Sequence, residues 1–256
     1  MPTNTIIIPF RKSAHIPLCL SSLAVCEGVE QHGVMLAQHG GKYFEFEEDA
    51  LRLIHWRVRD EGAFHFAKLL NAAIKRAHTE WVTILPPDLF VPADYITKLD
   101  ATLANPACRR CYFPIRYLDS AATQSVETKF NDFYQWIIPC TLNWRRGSET
   151  YKRCLIGSEC FAVRPACFLE VGGYDERFHQ IALTNIEFSR RWLNVFGPPF
   201  CSDCHLFHRW GHAGLADDCC LGDAADRRLF AEREGMGFPP LQIADTWGVF
   251  PAPVED

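Results

Sequence analysis

The stretch of the chain from residue 68 to 95 constrains the fold more than any other. Its first part repeats apolar side chains at helical spacing and predicts an amphipathic helix over residues 63–77. The short apolar run 81–85 that follows is typical of a buried strand. Pro86 and Pro87 must end that strand, because proline has no N–H group to give to a sheet. The pattern therefore predicts an α/β fold in which a helix leads into a buried strand.

Asp88 stands just beyond the end of this strand. In open α/β sheets, ligands bind outside the carboxyl ends of the strands. The position therefore makes Asp88 a candidate site residue. The alternative is that Asp88 only forms a turn after the two prolines.

Asn71, the apolar strand, Asp88, Pro92 and Tyr95 together form a recognisable pattern. The pattern resembles the core of GT-A-fold glycosyltransferases of the family 2 type. The resemblance implies that Asn71 belongs to the nucleotide-binding set. It also implies that Asp88 holds a divalent metal, Mn or Mg, on the diphosphate of a nucleotide sugar. The family has another aspartate two residues earlier, where this chain has Pro86, which cannot bind a metal.

The first half of the chain holds further positions that the resemblance assigns to the nucleotide. Pro9, Phe10 and Arg11 match a Pro-aromatic-basic step that lines the pocket for the base and ribose. Gln38 stands where the family has a carboxylate that receives uracil, and its amide can both donate and accept. Lys68 stands where the family often has a basic residue near the phosphates.

A second block, between residues 157 and 191, carries the strongest resemblance and is of the galactosyltransferase type. Gly172 and Gly173 open a Gly-Gly-Tyr-Asp-Glu-Arg-Phe segment, and glycines there suit a tight turn that approaches the sugar closely. In inverting members a Glu-Asp pair follows, and its Asp is the general base for the acceptor hydroxyl. Asn185 stands at this position.

Three residues of this block are candidates for catalysis: Asn185, Asp175 and Glu187. The amide of Asn185 cannot accept a proton at neutral pH. Glu187 lies two residues further along the helix, a rotation of about 200°, so it points away from the side that Asn185 faces. Asp175, in the turn beside the glycines with Glu176, is better placed. Thr184 and Glu187 also match a capping box, which is a purely structural role.

Cysteines and histidines cluster in the last third of the chain. Three interpretations stay open. Cys201, Cys204, His205 and His208 have side chains suited to a zinc ion. Their Cys-x-x-Cys-His spacing is also that of haem attachment, which normally requires export. The resemblance instead implies that His205 and His208 complete the metal site begun by Asp88, and carboxylate with imidazole suits manganese.

The remaining periodicity predicts strands and helices along most of the chain. Residues 121–154 lack it and are rich in aromatic side chains, so we assign them to acceptor binding or to a satellite core. The last residues, 237–256, are predicted to form a surface tail with Trp247 as an anchor. The predicted strands cover 5–10, 34–37, 51–58, 81–85 and 111–118, and the predicted helices cover 17–25, 63–77, 95–103 and 217–235.

Charge and cysteine content bear on the class of protein. The 256 residues carry a net charge of −5, which gives no electrostatic reason to expect a nucleic acid partner. The chain has no apolar run long enough to span a membrane. The N-terminus shows no export signal, so we expect the twelve cysteines to be free thiols in a cytoplasmic protein. A lipid-linked acceptor would place the protein peripherally on a membrane surface.

Together with the resemblance, these observations predict a single GT-A-like α/β domain with a mixed central sheet flanked by helices. Residues 1–105 would form its nucleotide-binding half, residues 106–216 its acceptor and catalytic half, and residues 217–256 a C-terminal helix and tail. The expected activity is metal-assisted transfer of a sugar, as in polysaccharide biosynthesis. The donor would be a UDP-sugar or a related nucleotide sugar, and the acceptor a hydroxyl of a glycan or lipid-linked molecule. The alternatives are a zinc-binding protein and a catalytically impaired nucleotide-sugar or glycan-binding relative, which Pro86, Asn185 and Gln38 favour.

Overall fold

The chain folds into strands interspersed with helices. The computed structural model describes residues 3–11, 16–42, 49–60, 62–118, 144–145, 160–179, 181–208 and 223–250. The strands are β1 (Asn4–Phe10), β2 (Gly33–His39), β3 (Arg52–Val58), β4 (Trp81–Ile84), β5 (Leu89–Phe90), β6 (Arg110–Tyr112), β7 (Ile115–Leu118), β8 (Trp144–Arg145), β9 (Phe161–Val163), β10 (Phe200–Cys201) and β11 (Leu206–His208). The helices are α1 (Ile16–Ala24), α2 (Phe66–Arg76), α3 (Tyr95–Leu103), α4 (Pro165–Glu170), α5 (Ile181–Phe196) and α6 (Ala224–Gly235).

Within the described residues, the central sheet has seven strands in the order β10–β6–β9–β4–β1–β2–β3. The strands β4, β1, β2 and β3 pair in parallel. β9 lies antiparallel between β4 and β6, and β10 runs parallel to β6. Side chains of α1 and α3 pack on one face of the sheet and those of α2 and α5 on the other. The prediction of an α/β fold with a mixed central sheet flanked by helices is confirmed.

Each face of the sheet buries its own apolar cluster, because side chains alternate along a strand. In β1, Ile6 and Ile8 share a cluster with α1 and α3, whereas Ile7 shares the opposite cluster with α2 and α5. None of the three isoleucines has exposed surface. A strand covered on both faces needs consecutive apolar residues, which explains the continuous apolar run that predicted it.

A smaller sheet carries the strands β5–β11–β7–β8 in that order. The single strand predicted over residues 111–118 is instead two strands, β6 in the central sheet and β7 in the smaller sheet. Pro114 separates them because it has no N–H group to continue a ladder, although its carbonyl oxygen accepts a hydrogen bond of 2.9 Å from the amide of Leu206. This change of sheet brings β11 next to β5, which follows the turn after β4.

The predicted capping box at the start of α5 is wrong. The helix begins at Ile181, so Thr184 lies inside the helix and not at its N-cap. Thr184 and Glu187 are both buried, Glu187 completely. The Thr-x-x-Glu pattern marks a helix start only where the residues before it leave the helix, and here they continue it.

The C-terminal part consists of α6 and a segment that packs back on the fold. Asp223 caps α6 by accepting hydrogen bonds of 2.8 Å from the amides of Ala225 and Asp226. The earlier part of the predicted helix lies outside the described residues. The segment after α6 is not a surface tail throughout, because Trp247 is only 6% exposed within the cluster of α2 and α5. The prediction that Trp247 anchors this segment is confirmed.

The aromatic stretch predicted to bind the acceptor, residues 121–154, lies outside the described residues apart from β8. In the part of the chain that the structure describes, no helix combines the length and the apolar character that crossing a bilayer requires.

Candidate functional site

The turn after β4 brings Asp88 beside a histidine from a distant part of the sequence. Asp88 immediately precedes β5, which pairs antiparallel with β11 so that Leu89 lies opposite His208. Nε2 of His208 lies 3.1 Å from Oδ2 of Asp88. The Asp88 side chain is 21% exposed and the His208 side chain 9%. Two of the predicted metal ligands therefore meet near the carboxyl end of β4.

The Asp88–His208 pair fits a divalent metal in its chemistry and in its spacing. Carboxylate oxygen and imidazole nitrogen are both suitable ligands for a metal such as Mn²⁺. Adjacent ligands of an octahedral ion, each at about 2.1 Å, lie roughly 3 Å apart, which is close to the separation of these two atoms. The described residues gather no cluster of three or more His, Cys, Asp and Glu side chains suited to a metal. A metal at this pair would therefore need further ligands such as diphosphate oxygens.

Cys19 packs against the same turn but is not suited to be a ligand. Its sulfur lies 4.0 Å from the carbonyl oxygen of Pro86, and the side chain is buried. Burial, and after it the charge of Asp88, raises the pKa of the Cys19 thiol far above its ordinary value. A thiol that stays protonated is a poor metal ligand.

His205, the other predicted histidine ligand, is oriented differently. His208 is the buried last residue of β11, whereas His205 precedes the strand. His205 is exposed. Desolvation, followed by the charges of Arg116 and Lys98, lowers its pKa. The structure thus places His208 beside Asp88 and turns His205 away.

The zinc site predicted from the cysteines and histidines is not formed. Cys201 is exposed in the edge strand β10, whereas Cys204 is fully buried in the apolar core. Burial, followed by the charge of Asp94, raises the pKa of Cys204 to about 12. All four predicted zinc ligands belong to the described residues, where no metal-binding cluster of this kind exists. The zinc interpretation is therefore wrong for Cys201, Cys204, His205 and His208.

The residues predicted to line the base pocket lie at the end of β1. Pro9 is buried within the strand. Phe10 is also buried, and its ring centre lies 6.2 Å from that of His55 in β3. Nη1 of Arg11 donates a hydrogen bond of 2.7 Å to the carbonyl oxygen of Gly62. Arg11 therefore connects the end of β1 to the turn that follows β3.

Gln38 is predicted to lie just beyond β2, but it lies inside the strand, which extends to His39. Its Nε2 donates hydrogen bonds to the carbonyl oxygens of Gly40, at 2.9 Å, and Lys42, at 2.5 Å. Its Oε1 lies 2.9 Å from Nε2 of His55. Both amide hydrogens are thus used within the chain, and the side chain is almost completely buried.

A cluster at the carboxyl ends of β2 and β3 is absent from the sequence predictions. Nε2 of His39 lies 3.5 Å from Oδ2 of Asp60. His39 is fully buried, and its ring lies 5.9 Å from that of Phe64 and 5.3 Å from that of Phe250. The amide of Gly62 donates to Asp60 and is the largest influence that lowers the pKa of this carboxyl group, against the opposing effect of burial. Asp60 follows a predicted strand, so the argument used for the aspartate after β4 could have found it.

Lys68 lies beside this cluster, in the first turn of α2. Its Nζ is 5.1 Å from the centre of the Phe250 ring, a cation–π contact. Its charge also contributes to lowering the pKa of Asp60. Nδ1 of His65 accepts a hydrogen bond of 3.4 Å from the amide of Lys68 and so caps the helix. Lys68 therefore lies at the edge of the sheet where α/β folds bind ligands.

Asn71 ties α2 to the Gly-Gly-Tyr-Asp-Glu segment. Its Nδ2 donates to the carbonyl oxygen of Tyr174 at 3.0 Å and to Oε1 of Glu176 at 2.8 Å. Its Oδ1 accepts from the amide of Tyr174 at 3.0 Å. The side chain is fully buried. Asn71 therefore joins two parts of the fold and has no surface open to a nucleotide.

Gly172 and Gly173 make a close approach, as predicted, but to another part of the chain. Their φ angles are +86° and +63°, in the left-handed region that favours glycine. A Cβ on Gly172 would lie 2.4 Å from the carbonyl oxygen of Leu241, and one on Gly173 would lie 2.1 Å from the ring of Trp247. The close approach expected toward a sugar is therefore made to the C-terminal segment.

Asp175 is held by Arg177. Nε of Arg177 donates to Oδ1 of Asp175 at 3.0 Å, Nη2 donates to Oδ2 at 2.7 Å, and the amide donates to Oδ1 at 3.1 Å. Burial alone would raise the pKa of Asp175, but the hydrogen bonds from Arg177 outweigh it and hold the pKa below its ordinary value. A low pKa makes this carboxylate a weak proton acceptor.

Asn185 and Glu187 are both buried in α5. Oδ1 of Asn185 accepts a hydrogen bond of 3.0 Å from the hydroxyl of Tyr174. Glu187 accepts bidentate hydrogen bonds of 2.7 and 2.6 Å from Arg191, and one of 3.0 Å from Nε of Arg233. Because Arg233 belongs to α6, Glu187 joins that helix to α5.

Comparison with solved structures identifies the fold. A mannosyltransferase from Pyrobaculum calidifontis, in complex with GDP-Man and Mn²⁺, matches with a TM-score of 0.54 and 13% identity over 84% of this chain and 59% of its own. S. aureus TarS in complex with UDP-GlcNAc gives a TM-score of 0.56 and 10% identity over 91% of this chain and 66% of its own. Glucosyl-3-phosphoglycerate synthase from Mycobacterium tuberculosis was solved in complex with Mn²⁺, UDP and phosphoglyceric acid. It gives a TM-score of 0.51 and 13% identity over 93% of this chain and 80% of its own.

The sequence itself matches no family model and no curated protein. The likeness in structure shows that the chain has the GT-A fold, as the sequence resemblance implied. The chain spans 59% of the length of the mannosyltransferase from Pyrobaculum calidifontis.

Proposed function

We propose that the chain is a glycosyltransferase that moves a sugar from a nucleotide-diphosphate donor to a hydroxyl of a glycan or lipid-linked acceptor. One observation carries the proposal: Asp88 and His208 meet within 3.1 Å near the carboxyl end of β4. They do so in a fold shared with transferases that were solved with GDP-Man or UDP and Mn²⁺. This pairing supports a UDP-sugar or related donor and a divalent metal, Mn²⁺ or Mg²⁺.

In this proposal, Asp88 and His208 hold the metal beside the donor diphosphate. When bound, the metal neutralises the charge that develops on the leaving diphosphate. Lys68 adds a positive charge at the same edge of the sheet. Phe10 and Gln38 lie behind the proposed base pocket. Arg11 borders this pocket between the ends of β1 and β3.

We expect transfer to be slow, because each candidate base is otherwise engaged. Asn185 cannot take a proton, and Glu187 neutralises two buried arginines. Asp175 is the base that we propose, since its partner Arg177 is 55% exposed and can swing away when an acceptor binds. General-base assistance is typically worth about 10² to 10⁴ in rate, so a partly blocked base would leave a slow enzyme.

A nucleotide-sugar or glycan-binding protein without turnover is the second candidate function. The complete burial of the position expected to hold the base, Asn185, favours it. So does Pro86, which replaces one of the expected metal-binding aspartates. The two functions differ in turnover and share the binding of a nucleotide diphosphate.

A thermal-shift screen of nucleotides and nucleotide sugars, with and without MnCl₂, tests what the two functions share. A ligand at a hundred times its dissociation constant should add about 2.7 kcal/mol to the free energy of unfolding. We expect UDP, GDP or one of their sugars to stabilise the protein, and Mn²⁺ to increase the shift. Donor hydrolysis and transfer to added acceptors then separate the enzyme from the binding protein.

Three variants identify the metal ligands in the same screen. Asp88→Asn and His208→Gln should remove the part of the shift that depends on Mn²⁺, whereas His205→Gln should retain it. A screen in which no nucleotide stabilises the protein would reject the proposed function. Metal dependence that survives Asp88→Asn would reject only the assignment of the ligands.

A further inference from the structure

The C-terminal segment is fastened along α2 by contacts that are not part of the proposed chemistry. The ring of Trp247 fills the space left by Gly173 and lies 4.6 Å from Nζ of Lys75. The same Nζ donates a hydrogen bond of 2.5 Å to the carbonyl oxygen of Trp247. The amide of Gly248 donates a hydrogen bond of 2.6 Å to Oε1 of Glu176. The side chain of Asn71 donates to the same oxygen. These contacts fix the direction in which the segment continues.

The segment then reaches the carboxyl edge of the sheet. Gly248 has a φ of +66° and lies against the backbone of Ala72, where a Cβ would meet the amide nitrogen at 3.0 Å. Two residues later, the ring of Phe250 lies 5.3 Å from the ring of His39 and 5.1 Å from Nζ of Lys68. The end of the described chain therefore contacts the lysine that the proposed function places near the donor phosphates.

Lys68 has two uses that exclude each other. In the structure its ammonium group lies over the face of the Phe250 ring. In the proposed function the same group faces a diphosphate. An ammonium group attracted to a doubly charged diphosphate must leave the ring, because charge–charge attraction exceeds the attraction of a cation to a neutral ring at a partly exposed site.

We propose that Phe250 and the donor diphosphate compete for Lys68, so that the C-terminal segment is coupled negatively to donor binding. The inference rests on the proposed function for the identity of the ligand. Coupling between two sites is reciprocal. Loosening Phe250 should strengthen nucleotide binding, and bound nucleotide should loosen the segment around Phe250.

The expected effect is modest and measurable. A cation–π contact at a partly exposed site corresponds to about a two- to fivefold change in an equilibrium constant. Phe250→Leu removes the π face and keeps an apolar side chain against His39. The dissociation constant for UDP with Mn²⁺, measured by calorimetry, should therefore fall about two- to fivefold in this variant.

A double-mutant cycle separates this competition from a general opening of the site. In the Lys68→Met background, Phe250→Leu should no longer change the affinity for UDP with Mn²⁺. Val249→Ala is the matched control, since Val249 neighbours Phe250 but is 50% exposed, and it should behave as the parent. An equal gain from Phe250→Leu in both backgrounds would overturn the inference.

The reciprocal effect gives a second readout. UDP with Mn²⁺ should accelerate hydrogen exchange at the amide of Val249, which donates to the carbonyl oxygen of Thr246 at 3.0 Å, and should not do so in Lys68→Met. If the parent binds UDP but Phe250→Leu gains nothing, the competition fails and the proposed function stands. If the parent binds neither UDP, GDP nor pyrophosphate, the proposed function fails and the competition fails with it.

Discussion

The hydroxyl of Tyr174 donates a hydrogen bond of 3.0 Å to Oδ1 of Asn185, and both side chains are buried. Asn185 stands where the resembled family has its general base, so the obvious experiment is to restore the acid. The structure predicts that this will fail. Asn185→Asp places a carboxylate in the core, and we expect it to lower the free energy of unfolding by about 1–3 kcal/mol without raising the rate of transfer.

The measurements for Asn185→Asp are a urea unfolding curve and the rate of donor turnover. Tyr174→Phe is the matched control, because it removes the same hydrogen bond without adding an acid and should cost about 1 kcal/mol. A tenfold gain in turnover in Asn185→Asp would contradict the burial of this site and restore the family mechanism.

Glu187 should be essential for stability. Its carboxylate neutralises Arg191 and Arg233, and neither Glu187 nor Arg191 has exposed surface. Glu187→Gln leaves two buried guanidinium groups without a counter-charge, so we expect a loss of about 3–5 kcal/mol. Arg190→Gln, an exposed change on the same helix, should be neutral. Equal stability of the two variants in denaturant unfolding would contradict the structural role of Glu187.

Gly173 and Gly197 are two of the glycines with a left-handed backbone, and together they separate the cost of backbone strain from the cost of a steric clash. Both have positive φ, but a Cβ on Gly197 meets nothing within 4 Å, whereas one on Gly173 meets Trp247. Gly197→Ala should therefore cost only the backbone strain, about 1–2 kcal/mol. Gly173→Ala should cost roughly 1–3 kcal/mol more, because Trp247 must move. Thermal unfolding measures the stability of both variants. Indistinguishable melting temperatures would show that Trp247 and the C-terminal segment can move aside without a measurable cost.

The pair of Asp175 and Arg177 should make stability depend on pH. Because Arg177 holds the pKa of Asp175 below its unfolded value of about 4, the pair stabilises the fold above that pH. The contribution is lost as the pH falls through the lowered pKa of the folded state. Arg177→Gln should raise this pKa, weaken the protein at neutral pH and move acid unfolding to higher pH.

Arg59→Gln, which changes an exposed arginine after β3, is the control for the acid titration and should leave the transition in place. The same Arg177→Gln variant should speed transfer if Asp175 is the base, since a higher pKa makes a better proton acceptor. Slower transfer at an unchanged acid transition would remove Asp175 from both roles.

Thiol reactivity should distinguish Cys201 from Cys204. Cys201 is exposed, whereas Cys204 is buried with its pKa raised to about 12. Iodoacetamide at about pH 8 should modify Cys201 and leave Cys204 intact in the native protein, because only a thiolate reacts. Peptide mass mapping measures both sites. Equal labelling, or zinc that is lost in Cys204→Ser, would revive the metal interpretation of these cysteines.

The sequence allowed the position of Asp88 to be predicted because its causes are local. A strand that must end at two prolines fixes where the next carboxylate emerges. The approach of His208 has a different origin, since it depends on the pairing of β11 with β5 and on the change of sheet at Pro114. Only the family resemblance indicated it, with His208 as the first choice and His205 as the second. The contact of the buried His208 with Asp88 and the exposure of His205 decide between them.

The roles of Asn71 and the glycine pair could not be predicted from their neighbours in the sequence. Asn71 contacts Tyr174 and Glu176, and the partners of Gly172 and Gly173 lie in the C-terminal segment. Those contacts exist only after distant parts of the chain have packed. The resemblance therefore identified the fold correctly, while Asn71, Gly172 and Gly173 serve to hold that fold together.

The insertion of β9 between β4 and β6 has a consequence for biosynthesis. Val82, Thr83 and Ile84 pair with β9 on one side, and every residue of β4 is buried in the finished protein. While the ribosome is still translating the region between β4 and β9, the nascent chain must carry β4 as an open, apolar sheet edge. Such edges recruit other strands, so we expect the newly made N-terminal half to be prone to pairing with strands of other chains until β9 has been made and has paired with β4.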